Sequence, residues 1–281
     1  MIPPEFEYTV PESLDEALKA LADGGDDAKI LAGGHSLIPL MKMRLAAPGL
    51  LIDLRKLGEL RGIQPGEATA RIGALTTHHE VSQASDLGVA AHAAGQIADQ
   101  QVRNRGTIGG SLAHGDPASD LPAVLLAAEG SVTVQGSGGE REIAAADLFQ
   151  DYLTTAIGAG EVMTSIAVPI GEGWAFGYQK FNRRVEDWAM VGVCALVRKA
   201  GDGSCEDVRV GLTNMGSTPL RATATEDALR GGGLDADAIA HAAEHAAEGT
   251  DPPADLNASS DYKRSLARTL TRRALEEAAA A

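Results

Sequence analysis

The sequence predicts an α+β protein in two parts. An α/β domain spans residues 1–172, with an internal seam near residue 56, and a smaller α+β domain spans 173–281. Three observations lead there. At 281 residues the chain exceeds the usual size of a single domain. Between residues 28 and 54 a strand, a glycine turn, a short helix and a second strand succeed one another, as in a small α/β unit. After residue 172 the strands come first and the helices afterwards, which predicts an antiparallel sheet with helices on one face.

The elements follow in order. Ser13 and Glu16 have the spacing of a capping box, and Leu14, Leu18 and Leu21 share one face of the helix that the glycines at 24 and 25 end. "AKILA" (28–32) reads as a strand, "GGHS" as a turn, "LIPLMKMR" as a short helix with Pro39 in its first turn, and "LLIDL" (50–54) as a second strand. The subdomain over 57–172 begins with a strand at "ARIGAL" (70–75) and a second capping box at Thr77 and Glu80. Alanine-rich helices are expected over 87–99, then a glycine-dense loop that passes into the helix of "DLPAVLLAA". "SVTVQ" and "REIAAAD" flank "GSGGE" as a hairpin, and "EVMTSIAVPI" (161–170) closes the section as a strand. In the last part "WAFGYQKF", "AMVGVCALVRK" and "DVRVGLTNM" predict a three-stranded antiparallel sheet. Helices are expected near 223–230, 235–247 and 261–280.

Composition narrows the functions. A net charge of −15 repels nucleic acid and anionic membrane at long range, so no nucleic-acid partner is expected. Cys194 and Cys205 form no CxxC pair and cannot supply the four thiolates of an iron–sulfur cluster. No apolar run is long enough to cross a bilayer, and "MIPPEFEYTV" lacks the basic and apolar regions of a signal peptide. The expectation is a soluble, reduced, cytoplasmic protein.

Two glycine-rich segments carry the chemistry. At "LAGGHSLIPLMKMR" (31–44), Gly33 and Gly34 let a ligand approach main-chain N–H groups, and Ser36 adds a hydroxyl. Three readings compete: a plain turn, a nucleophile elbow with Ser36 as nucleophile, and a phosphate cradle. "GTIGGS" (106–111) repeats the pattern of small donors among glycines, with Asp116 and Asp120 following. Two such loops suit a ligand with two phosphates and a distant polar end. Asp120 is either an acceptor for that end or a cap for its own helix. The elbow reading lacks the closing glycine, since Ile38 stands there. His35 reads as a loop residue, His114 as a ligand contact or a loop residue, and "HHE" at 78–80 as the exposed first turn of a helix. In "QKFNRRVEDWAM" (179–190), Lys180 and Trp188 offer a cation and a flat ring, or only a solvated turn. Arg264, Arg268 and Arg272 form a basic stripe on the last helix, solvated or partner-facing.

These residues carry a likeness. "LAGGHSLIPLMKMR" followed by "RNRGTIGGSLAHGDPASDLPA" resembles the two flavin-binding loops of the FAD-binding medium subunit in the molybdenum hydroxylase (xanthine dehydrogenase) family, closest to the medium subunits of aerobic carbon monoxide dehydrogenases. The likeness extends through "GLTNMGSTPL" to "DYKRSLARTLTRRALE". It implies a two-part FAD-binding domain of the PCMH type followed by an α+β domain. Ala32, Gly33, Gly34, His35 and Ser36 would wrap the FAD pyrophosphate, and Thr107, Ile108, Gly109, Gly110 and Ser111 the phosphates and ribityl chain. Asp120 falls near the polar edge of the flavin, Lys180 near its ring, and Met163 beside the adenine or the ring, with His114 and Trp188 as further contacts. No side chain is implied as a catalyst or metal ligand.

The resemblance further implies partners: an iron–sulfur small subunit with two [2Fe–2S] clusters, and a large subunit holding a molybdenum cofactor. Together they would form a dimer of heterotrimers, a heterohexamer, that passes electrons through FAD to a quinone or another acceptor. The complex would be cytoplasmic, with peripheral contact at the inner face of the membrane. A flavin-free scaffold subunit and a free-standing flavin oxidoreductase are the alternatives. Two departures bear on the site. Ser111 stands where the family commonly has asparagine, and Glu186, Asp187 and Trp188 replace a "GDY" of close relatives.

Overall fold

The computed structural model describes residues 2–281 and contains three main sheets. The first has three parallel strands, with Leu50–Asp53 between Glu7–Thr9 and Ala28–Leu31. Helix Leu14–Gly24 packs Leu21 and Ala17, with Leu14 and Leu18 beside them, onto Ile52, Leu54 and Leu57. Ser13 Oγ accepts the Glu16 N–H at 3.2 Å, but the Glu16 carboxylate turns to the Glu12 N–H, so only half of the expected box forms. The edge strand Glu7–Thr9 had no sequence signal, because its three residues bury no regular apolar face.

The second sheet is antiparallel, in the order Ile63–Gln64, Thr69–Gly73, Val162–Pro169, Ser131–Gly136, Gly139–Ala144. The expected hairpin is its last pair. Where alanine-rich helices are expected over 87–99, the α-helix is confined to Val89–Gly95. Gly88 (φ 54°) separates it from a turn at Ser85–Leu87, and Ala98 (φ 40°) breaks the chain before the short helix Gln100–Arg103. Alanine supplies helix propensity, but these two left-handed residues set the limits.

The third sheet runs Trp174–Phe181, Val191–Lys199, Cys205–Thr213 and Leu220–Arg221, all antiparallel. The fourth strand adds to the three expected; two residues are too few to show a period. Val191, Val193, Ala195 and Val197 face the helices of the C-terminal region, while Cys194 and Leu196 join the core of the second sheet. The strand is buried on both faces, which is why it reads as a continuous apolar run. Helix Asp120–Ala127 lies on this sheet so closely that a Cβ on Gly211 would strike the Ala123 carbonyl.

Helices Thr223–Leu229, Ala236–Glu244 and Ser260–Ala280 cover the other face. The arginine stripe of the last helix is matched by acids: Arg264 by Asp251 and Asp261, Arg268 by Glu244, and Arg272 by Glu276. Among the described residues, no helix is long and apolar enough to cross a membrane.

Candidate functional site

The first glycine segment links strand Ala28–Leu31 to helix Leu37–Lys42. Gly34 takes φ 79°, which a side chain would strain. The carbonyls of Gly34 and Ser36 accept from Ile38 and Leu40 at 3.1 and 3.2 Å. Among the described residues, no protein acceptor receives the N–H groups of Gly33, Gly34, His35, Ser36 or Leu37. Five consecutive backbone donors thus point away from the protein's own hydrogen-bond network, the pattern of an anion-binding nest. The Ser36 hydroxyl is bonded to no histidine, and His35 Nδ1 sits 3.4 Å from the Gly33 carbonyl instead. A nucleophile needs a base within hydrogen-bond reach, so the elbow reading falls.

The second segment works differently from the first. "GTIGGS" is not a loop but the start of helix Ile108–His114, with Thr107 as its cap accepting the Gly110 N–H at 3.1 Å. The N–H groups of Ile108, Gly109 and Ser111 go to Thr76, Ala74 and Thr107 at 3.0, 2.9 and 3.0 Å. Its donors are therefore committed, and its glycines serve close packing. A Cβ on Gly109 would lie 2.6 Å from the Ala74 carbonyl oxygen. Likewise a Cβ on Gly33 would strike the Arg105 carbonyl and lie 2.8 Å from Gly106 Cα. The two segments touch backbone to backbone, which only glycine permits.

Their junction forms one wall of a cavity of about 590 Å³. Of the residues singled out from sequence, Ala32, Gly33, Gly34, His35, Ser36, Thr107, Gly110, Ser111, His114, Asp120, Lys180 and Trp188 line it. Ile108, Gly109 and Met163 do not. Ile108 and Met163 are buried in the core of the second sheet, at 2% and 6% exposure, and Gly109 is pressed on Ala74. Their influence on the cavity runs through packing.

At the far side lies a buried polar cluster. Asp120 is the first residue of its helix, not the cap, which is Ser119. Its carboxylate accepts from the Tyr178 hydroxyl at 2.6 Å and from Lys180 Nζ at 2.9 Å, and Lys180 also donates to the Gln96 carbonyl at 3.3 Å. The two charged side chains are 5% and 3% exposed. Burial pushes the Asp120 carboxyl above the usual range, opposed by the Lys180 ammonium and the Tyr178 hydrogen bond. Burial, and then Asp120, drives the Tyr178 phenol well above its ordinary value. Sequence spacing gave no hint of Tyr178, because the cluster joins residues about sixty positions apart.

His114 is half-buried, and burial lowers its pKa against the opposing pull of Asp116. Trp188 stands at the mouth, 54% exposed, in a turn braced by Asn182 Nδ2 on the Arg184 carbonyl (2.7 Å) and by Asp187 accepting the Arg184 N–H (3.1 Å). One expectation is corrected. His78 does begin a helix, but it is 6% exposed rather than solvated, and it lines the cavity.

Comparison with known proteins bears on this arrangement. Residues 4–171 match the FAD binding domain in molybdopterin dehydrogenase, and residues 176–278 match the CO dehydrogenase flavoprotein C-terminal domain. The chain belongs to the molybdopterin dehydrogenase FAD-binding family. It is 42% identical over 285 residues to the carbon monoxide dehydrogenase medium chain of Hydrogenophaga pseudoflava, covering 99% of this chain and 98% of that one. It is 40% identical over 283 residues to the 6-hydroxypseudooxynicotine dehydrogenase complex subunit alpha of Paenarthrobacter nicotinovorans, covering 99% and 96%. The solved carbon monoxide dehydrogenase from Hydrogenophaga pseudoflava that lacks the Mo-pyranopterin moiety superposes with a TM-score of 0.96 at 42% identity, covering 100% and 99%.

The chain is thus an FAD-binding oxidoreductase subunit, and its own residues fit that cofactor. The unpaired N–H run at 33–37 suits a pyrophosphate, the hydroxyls of Thr107 and Ser111 suit a polyol chain, and the cavity lies within the size range of small-molecule sites.

Proposed function

We propose that this protein is the electron-transfer medium subunit of a molybdenum-containing hydroxylase of the aerobic carbon monoxide dehydrogenase type. It receives electrons from [2Fe–2S] clusters of a small subunit and hands them to an external acceptor such as a quinone. Substrate is oxidised at a molybdenum cofactor in a large subunit. The assembly is a dimer of heterotrimers in the cytoplasm, touching the inner face of the membrane peripherally. Residues 1–172 form the FAD-binding domain and 173–281 the smaller domain that closes the cavity. The observation that carries this reading is the run of five unpaired N–H groups at 33–37, set in the same cavity as Thr107, Ser111 and the Asp120–Lys180 pair.

Bound FAD supplies the exchange between one-electron and two-electron carriers. The residues of this chain bind, orient and shield. Gly33, Gly34, His35 and Ser36 would hold the pyrophosphate through main-chain donors, with Ala32 as the wall beside them. Thr107 and Ser111 would meet the ribityl hydroxyls, and Gly110 leaves room for them. Asp120 would present what remains of its acceptor capacity to the polar edge of the flavin, held in place by Tyr178 and Lys180. His114 and Trp188 line the outer wall, where Trp188 limits access for the acceptor. Ile108, Gly109 and Met163 would set the shape of the site from behind.

Relatives at 42% and 40% identity belong to complexes named for carbon monoxide and for 6-hydroxypseudooxynicotine. The carbon monoxide assignment therefore needs a direct test. The protein is purified with its co-expressed neighbours, its absorption spectrum is recorded, and the cofactor is released by heat and identified. FAD with iron–sulfur absorbance, bleached by carbon monoxide under anaerobic conditions, is the expected result. Flavin that bleaches only with another substrate overturns the carbon monoxide assignment. A complex without flavin overturns the electron-transfer reading.

A further inference from the structure

His78 forms part of the cavity wall with its side chain. It begins helix His78–Gln83, and its position is fixed twice. Its own N–H donates to the Gly106 carbonyl at 2.9 Å. The capping box before it is complete, with Thr77 Oγ1 accepting from Glu80 N–H at 3.2 Å and Glu80 Oε2 accepting from Thr77 N–H at 2.7 Å. The ring borders Gly106, where a Cβ would come within 2.7 Å of Cδ2 and 3.1 Å of Nε2. Gly106 is also the residue whose Cα would sit 2.8 Å from a Cβ on Gly33. The imidazole and the N–H run at 33–37 therefore flank the same piece of backbone and open on the same cavity.

The ring is not satisfied by the protein. Nδ1 is buried and has no hydrogen-bond partner. Folded proteins leave few such atoms unpaired, and beside a ligand cavity a partner from outside the chain accounts for one. The charged or titratable groups acting on the ring are His35, from the first loop, and Arg103, from helix Gln100–Arg103; both are basic. Arg103 is itself anchored on the Ile97 and Ala98 carbonyls at 2.8 Å each. Basic neighbours and a run of backbone donors form a surrounding that suits an anion and repels a cation.

We propose that His78 is a phosphate contact: its ring donates a hydrogen bond to a phosphate oxygen of a ligand whose other oxygens rest on the N–H groups of residues 33–37. The inference deepens the FAD reading, on which it rests, by adding one side-chain donor to a cradle otherwise made of backbone. A neutral ring is sufficient for the bond; because Nδ1 is closed off from solvent, the ring must turn to present that nitrogen to the ligand, while the capping box holds the backbone beneath it.

The test uses the full chain freed of flavin, with FAD and ADP as probes. His78→Phe keeps a ring against Gly106 and removes both nitrogens, whereas His78→Gln restores a donor. Loss of a hydrogen bond to a charged oxygen predicts binding of FAD and ADP about tenfold weaker or more in His78→Phe, with partial recovery in His78→Gln. The ring nitrogens of His78 in the unaltered protein, followed by 15N NMR, should shift on adding ADP, a readout that does not depend on how the variants fold. Unchanged affinity in His78→Phe, or ring nitrogens that do not move with ADP, overturns the contact and leaves the flavin reading intact. An unaltered chain that binds neither probe, even within its complex, overturns the flavin reading and this contact with it.

Discussion

Replacing Lys180 with methionine should destabilise the protein strongly, and the structure says by how much. The Lys180 and Asp120 side chains are 3% and 5% exposed, and their charged atoms lie 2.9 Å apart. Methionine fills most of the space of the lysine stem but leaves the Asp120 carboxylate with only the Tyr178 hydroxyl as a side-chain donor. Breaking one half of a buried ion pair costs about 3–5 kcal/mol, because the remaining charge stays out of water. For a chain of this size that corresponds to a fall in Tm of roughly 6–20 °C. Adding Asp120→Leu removes the stranded charge and should restore most of the loss, since well-packed apolar residues substitute for buried pairs at little cost.

The deficit should also depend on pH. Without the ammonium, burial raises the Asp120 carboxyl further above its unfolded value. A raised carboxyl favours the folded state when protonated, so that stability is present below the unfolded value near 3.8 and is lost as pH rises through the folded one. Lys180→Met should therefore be weakest at neutral pH and recover toward acid. Urea denaturation of the single and double variants at pH 5 and pH 7 measures both effects. A single variant that loses less than about 1 kcal/mol, or a double variant no better than the single, would refute the argument from burial.

Three further outcomes are expected. Gly33→Ala places a methyl group against the Arg105 carbonyl and Gly106 Cα, so the two segments must part and FAD content after purification should drop severalfold while the melting of the remaining domain core changes little. His78 is held down to about 4, first by burial and then by His35 and Arg103, against 6.5 in a free ring. The folded state then binds fewer protons than the unfolded one, so stability is full above pH 6.5 and falls toward pH 4 by roughly 3 kcal/mol; His78→Phe should flatten that slope, and identical slopes would contradict it. Tyr178→Phe removes a 2.6 Å hydrogen bond to a buried carboxylate and should cost about 1.5–3 kcal/mol in urea denaturation, with no change expected in cavity shape.

Much of the fold was legible because it is local. The Thr77–Glu80 capping box, the hairpin around residue 137 and the strand Val162–Pro169 each declare themselves within about fifteen residues. So does the first glycine segment, as a turn between a strand and a short helix. Other features needed the rest of the chain. Strand Glu7–Thr9 exists because Leu50–Asp53 offers it an edge, and its own residues carry no period. The second glycine segment looked like a copy of the first, yet Thr76 and Ala74 take its donors and turn it into a helix start. The buried state of His78 follows from Gly106 closing over its ring, a contact across nearly thirty residues.

The sequence by itself determined which short segments hold its turns and caps, since these are written in residue types at fixed short spacing, and its resemblance to a known family placed the chain among FAD-binding subunits. The tertiary structure alone decided which of two similar glycine runs keeps its donors free, which lysine meets which carboxylate, and which histidine is left unpaired beside them. Those outcomes depend on competition among distant groups for the same hydrogen bonds, and that competition is resolved only when the sheets and helices are packed together.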